Sequence, residues 1–113
     1  MSESIKYCES LTRYQRRPSR VVHIGHVPLG GDYPIRVQSM TTTDTMDTQA
    51  TVDQSIRMIE AGCEYVRITA PSIKEAHNLA EIKEQLKKKG YNIPLIADIH
   101  FTPNAAMEAA RIV

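Results

Sequence analysis

An excess of charge of one sign is missing from this chain. Lys and Arg number 14 and Asp and Glu 13, a net charge of +1, which gives no general reason to expect nucleic acid or an anionic membrane as partner. Long apolar runs are missing too. No stretch approaches the roughly 20 residues that span a bilayer, and the amino terminus lacks the apolar core of a secretory signal. The expectation is a cytoplasmic protein, or a plastid one if the source is plant-like. Cysteine is scarce. Cys8 and Cys63 make neither a CxxC pair nor a zinc pattern, and no disulfide is expected in that compartment. Cys63 follows Gly62, where a small thiol packs well at a helix-to-strand junction. Glycine-rich phosphate loops are absent: there is no GxGxxG and no GxxxxGK[ST], so both nucleotide-binding fingerprints are excluded.

What is present is enough for one modest domain, 113 residues. Residues 1–20 form a polar arm carrying Arg13, Arg16, Arg17 and Arg20. It reads as a solvated segment, with contact to a phosphate or a partner as the alternative. Glu3 and Glu9 weaken any reading as a transit peptide. Residues 21–34 read as a β-hairpin, with short β-prone runs on either side of Gly25-His26 and a break at Gly30-Gly31-Asp32. Such a hairpin fits over one end of a barrel.

From residue 35 onward the pattern is strand, helix, strand, helix, strand, helix. Strands are expected over 35–39, 64–69 and 93–99. The first helix is expected over 48–61, with Val52, Ile56 and Ile59 as its apolar stripe and Gly62 as its stop. The Thr- and Asp-rich loop before it must supply a cap for that helix. The second helix opens with Ser72 and Glu75, spaced as a capping box, and buries Ala76, Leu79, Ile82 and Leu86. It ends at Lys87-Lys88-Lys89-Gly90, where the lysines oppose the helix dipole. A third helix is expected from Asn104.

The strand centres Val37, Val66 and Ile96 are spaced by about 30 residues, the length of one βαβ unit. The strands are apolar almost throughout, as in a parallel sheet covered on both faces. Such units build a (βα)₈ barrel or a doubly wound sheet. The missing phosphate loops favour the barrel. The fold class expected is therefore α/β: the first three βα units of a TIM-type barrel, residues 35–113, behind the hairpin.

Side chains at the carboxyl ends of such strands meet around one rim. Arg67 sits within an otherwise apolar strand, where an unpaired guanidinium would be very costly. It must meet a carboxylate, with Asp98 on the adjacent strand as the candidate, or an anionic ligand such as phosphate, which its planar fork suits. Asp98 and His100 are two residues apart on an extended segment and point to one side. Together they can share a proton, orient a hydroxyl or join a metal site, although two ligands are too few for a metal alone. Gln38 and Ser39 end the first strand. His23, His26 and His77 lie off this rim.

Five blocks occur in order: Ile24-Gly25 with Val27-Pro28-Leu29-Gly30; Pro34-Ile35-Arg36-Val37-Gln38-Ser39-Met40-Thr41; Asp44-Thr45; Ala61-Gly62 with Tyr65-Val66-Arg67-Ile68; and Pro94-Leu95-Ile96-Ala97-Asp98-Ile99-His100-Phe101. Together they resemble the amino-terminal part of the 4-hydroxy-3-methylbut-2-en-1-yl diphosphate synthase family, and the basic arm resembles that of its larger three-domain form. The resemblance implies reductive ring opening and dehydration of 2-C-methyl-D-erythritol 2,4-cyclodiphosphate. It implies a TIM barrel that binds the diphosphate and a separate domain holding a [4Fe-4S] cluster. Ferredoxin or flavodoxin is the implied electron donor. Arg67 resembles a diphosphate-binding arginine, and Asp98 and His100 resemble catalytic members of the barrel mouth. Gln38, Ser39 and Met40 match a strand-end motif at the same rim. Cys8 and Cys63 do not match the cluster ligands, so no metal ligand is expected among these residues. A chain of three βα units is then expected to be inactive alone and to self-associate through open strand edges. The other readings are a cluster-free barrel enzyme acting on a phosphorylated or pterin-type substrate, and a non-enzymatic half-barrel binding module.

Overall fold

The computed structural model describes residues 6–113. Glu3 and the start of the expected arm lie outside the described residues. Residues 6–20 form no helix or strand and are exposed throughout.

The hairpin is present: β1 (Val22–Ile24) pairs antiparallel with β2 (Val27–Leu29). Ile24 pairs with Val27, which leaves Gly25-His26 as a two-residue turn. Glycine is required there twice over. Its φ is +58°, and a Cβ would come 2.9 Å from Pro94 Cγ. Pro94 immediately precedes β5 (Leu95–Ile99), so the hairpin tip lies against the amino-terminal end of the sheet. Two further ties act at the same end. Tyr65 Oη donates to Val27 O at 3.2 Å. Arg36 donates through Nε to Pro28 O at 2.8 Å and through Nη1 to Glu64 Oε2 at 2.9 Å.

The main sheet has the order β3-β4-β5 and is parallel throughout, with β3 (Gln38–Met40) and β4 (Tyr65–Ala70) joined to β5. Helices α1 (Thr48–Glu60) and α2 (Ile73–Lys88) make the crossovers, and α3 (Pro103–Ala110) follows β5. This is an α/β fold of consecutive βα units, and strand neighbours in sequence are neighbours in space. One face of the sheet carries the core. Val66, Ile68 and Ala70 of β4 and Leu95 of β5 pack with Val52, Ala76, Leu79, Ile82 and Leu86 from the helices and with Ala105 and Ala109. Each fully buried Leu or Ile among these contributes roughly 1.5–3 kcal/mol.

The expected stripe of α2 is buried at all four positions, whereas α1 buries Val52 together with the polar Thr51 and Ser55. Ser55 is tolerated because its hydroxyl donates to Thr51 O at 2.7 Å. Asp47 caps α1 by accepting from Ala50 N at 3.1 Å. Gly62, at φ +114°, ends it.

Three expectations need correction. The first strand does not run over 35–39, because only Gln38–Met40 pair as a strand. Arg36 turns away to Glu64, and the Glu64 carboxylate takes the Val37 amide at 3.2 Å. Ile35 is 82% exposed and Val37 53%. Secondly, burial on both faces does not hold across the sheet. Residues of β3 are exposed and those of β5 mostly half-buried, since each has a neighbouring strand on one side only. Thirdly, Ser72 does not cap an amide. Its hydroxyl donates to the Glu75 carboxylate instead.

That hydrogen bond, and the amide of Glu75 itself, hold the Glu75 carboxyl below its ordinary value of 4.5. A carboxyl lowered on folding contributes stability that is full above its unfolded value and is lost as pH falls through the folded one. Glu75→Gln is therefore expected to melt about 2–4 °C below the parent at pH 7. The gap should narrow as the pH of the melt falls below 4.5 and close once it is below the lowered folded value. A constant gap across this range would assign the effect to packing.

Candidate functional site

Side chains alternate along each strand, so the register sorts them by face. Met40 pairs with Arg67 and Arg67 with Ile96, while Thr69 pairs with Asp98. Gln38, Met40, Arg67, Thr69 and Asp98 therefore share the face that the helices do not cover. Ser39 pairs with Val66 and lies on the opposite, helix-side face. Gln38 pairs with Tyr65 at the start of β4, further from the carboxyl end than Met40.

Arg67 and Asp98 meet diagonally across β4 and β5. Arg67 Nη2 lies 3.1 Å from Asp98 Oδ1, and His100 Nε2 lies 3.3 Å from the same oxygen. The Asp98 side chain is 15% exposed, Arg67 41% and His100 47%. One carboxylate oxygen thus sits between two nitrogen groups that open toward solvent. Arg67 Nε is buried and has no hydrogen-bond partner among the described residues. A buried, unpaired N–H of this kind costs about 1–3 kcal/mol. An arriving anion that accepts from it would remove that cost.

The loop between β3 and α1 is pinned beside this cluster. Thr41 N donates to Arg67 O at 3.0 Å and Thr45 Oγ1 to Thr69 O at 2.6 Å. Asn78 Nδ2, from α2, donates to Thr45 O at 2.7 Å and to Thr48 Oγ1 at 2.9 Å. Gln54 and Thr42 exchange two hydrogen bonds, at 2.8 and 2.9 Å. The loop hydroxyls and Glu75 line an open cavity of about 310 Å³ at the carboxyl ends of β3 and β4. Asn78 and Gln54 carry no local sequence signal, because their partners lie 33 and 12 positions away.

Phe101 also escapes the sequence pattern. Among the described residues it is the one non-glycine at positive φ, +56°, a conformation that costs of the order of 1 kcal/mol or more. Its ring is fully exposed, with its centroid 6.1 Å from that of His100.

Both cysteines are free and lie in different parts of the fold. Cys8 is exposed in the arm, where Sγ donates to Ser10 O, and Cys63 lies at the start of β4's approach. Among the described residues no three His, Cys, Asp or Glu side chains gather as a metal site. No described helix is long and apolar enough to cross a membrane.

Residues 19–113 match the family described as the GcpE TIM-barrel domain. The chain is 53% identical over 108 residues to 4-hydroxy-3-methylbut-2-en-1-yl diphosphate synthase (flavodoxin) of Protochlamydia amoebophila, covering 96% of this chain and 16% of that protein. A protein of the same name from Parabacteroides distasonis is 60% identical over 97 residues, 86% of this chain and 16% of its own length. The rice protein, 4-hydroxy-3-methylbut-2-en-1-yl diphosphate synthase (ferredoxin), chloroplastic, is 51% identical over 106 residues, 94% of this chain and 14% of its own. The chain thus spans 14–16% of the length of these relatives.

Proposed function

This chain belongs to the GcpE family, and from that premise we propose that it supplies part of the substrate-binding mouth of a reductive diphosphate synthase. The substrate of that reading is 2-C-methyl-D-erythritol 2,4-cyclodiphosphate, and the product is 4-hydroxy-3-methylbut-2-enyl diphosphate. Residues 35–113 are the first three βα units of a TIM barrel. Residues 21–34 close its amino-terminal end, and residues 6–20 belong to a solvated basic arm. The compartment is the cytoplasm, or the plastid in a plant.

The observation that carries this reading is Arg67. Its buried Nε lacks a partner while Nη2 is anchored by Asp98. A guanidinium so held offers its planar fork of donors to a pair of phosphate oxygens, which a diphosphate presents. Asp98 orients that fork and stands within 3.3 Å of His100. His100, half exposed on the same rim, is placed to exchange a proton with a ligand hydroxyl. Met40 lines the position beside Arg67, with Gln38 deeper on the same face. Ser39 belongs to the same strand end and lies on its helix side. The family resemblance assigns the electrons to ferredoxin or flavodoxin and the redox chemistry to a [4Fe-4S] cluster. Cys8 and Cys63 do not match the ligands of that cluster.

The test is the full-length gene product, purified without oxygen. Expected are about four irons per chain, a broad visible absorbance, and conversion of the cyclic diphosphate with reduced flavodoxin or ferredoxin. An iron-free product that leaves the cyclic diphosphate unchanged would sink this function and favour a binding module.

A further inference from the structure

Phe101 costs the fold twice. Its backbone occupies a region that glycine or asparagine would fill more readily. Its ring, 102% exposed, gains nothing from packing among the described residues. The strain is also held in place. Thr102 Oγ1 lies 3.3 Å from both Pro71 O and His100 O, and so ties the chain across Phe101. Thr102 then stands at the N-cap position of α3, its hydroxyl turned to these carbonyls and not to the helix amides, with Pro103 in the first turn. The turn therefore holds the Phe101 backbone at the carboxyl end of β5, with the ring tilted 55° to the His100 imidazole.

A ring that serves neither the backbone nor the core serves something that arrives after the chain folds. Its neighbours indicate what that is. Arg67, Asp98 and His100 handle charge and protons, and the apolar Met40 that shares their face stands on β3, two strands from the end of β5. A ligand with a diphosphate and a short hydrocarbon skeleton needs both kinds of contact. We propose that Phe101 is a binding residue, the wall against which the carbon skeleton of the phosphorylated ligand lies and from which water is excluded. The inference rests on the substrate reading above and adds a residue and a role to it.

The experiment compares the full-length protein with its Phe101→Gly and Phe101→Tyr variants, reading Tm without ligand and KM, kcat and Kd for the cyclic diphosphate. Phe101→Gly is expected to melt at or slightly above the parent, because the strain is relieved. Its KM and Kd should rise about tenfold with kcat within about threefold, the mark of lost ground-state contact. Phe101→Tyr keeps the ring and should restore both constants to within about twofold. An active parent whose Phe101→Gly variant keeps its KM overturns the wall and leaves the substrate reading intact. A Phe101→Gly variant that melts about 5 °C or more below the parent also overturns it, because the ring would then be packing against another part of the protein. A parent that neither binds nor converts the cyclic diphosphate overturns both.

Discussion

Arg67→Ala in the full-length protein is expected to raise KM for the cyclic diphosphate by about 100-fold, with a loss of thermal stability of only a few degrees. Two magnitudes decide this. Charge-assisted hydrogen bonds from a guanidinium to phosphate contribute about 1.5–3 kcal/mol each, and a hundredfold change needs about 2.8 kcal/mol. The ion pair with Asp98 is worth far less to the fold. Arg67 is 41% exposed, so solvent screening brings the pair to about 1 kcal/mol or below. Removing the arginine also removes the buried, unpaired Nε, which offsets part of that loss. Arg67→Lys should fall between, because it keeps the charge and loses the fork. A double variant with Asp98→Asn separates the two roles: if Asp98 acts by aiming Arg67, the second substitution adds little to the KM change. An unchanged KM in Arg67→Ala, with a Tm drop that Asp98→Asn reproduces, would reduce the pair to a structural contact.

The parts of this fold that could be read from sequence are those set by local periodicity. The stripe of α2, the stop at Gly62, the turn at Gly25-His26 and the parallel strand sequence each follow from residues within one element. The pairing of Arg67 with Asp98 was also within reach, because a guanidinium in an apolar strand demands a partner and only one acid stood at the right depth. Most of what escaped is set by contacts distant in the chain. Glu64 takes both Arg36 and the Val37 amide, 28 and 27 residues away. That converts Ile35, Arg36 and Val37 into a connector and shortens β3. Asn78 looks like an ordinary helix residue until Thr45 is placed beside it. Ser72 and Glu75 carry the right spacing for a reciprocal cap, yet they satisfy one another. A hydroxyl-to-carboxylate bond competes with amide capping, and spacing alone does not distinguish them. Ser39 differs from Gln38 and Met40 only in the parity of the strand, which becomes fixed once the register with β4 is known.

The chain of 113 residues, studied alone, is expected to assemble into dimers or larger species rather than to run at 12.7 kDa. The reason lies in the backbone of its outer strands. Tyr65 N donates to Val37 O and Thr41 N to Arg67 O, so the odd-numbered residues of β3 bond toward β4. The amides and carbonyls of Gln38 and Met40 then point away from the sheet, and among the described residues β5 has no neighbour beyond β4. Two unpaired parallel edges, with Ile35 and Val37 exposed beside one of them, form a template for a second copy. Gln38→Pro tests the edge specifically. It removes an outward-facing N–H without breaking a bond to β4, and proline is tolerated at an edge for that reason. Ile35→Lys tests the exposed apolar surface instead. Sedimentation at about 10–100 µM should show the parent associating, Gln38→Pro shifted strongly toward monomer, and Ile35→Lys shifted less. Monomeric parent across that range would mean that the twist or the shortness of β3 already protects the edge. Dissociation by Ile35→Lys alone would move the contact from the strand edge to the apolar surface beside it.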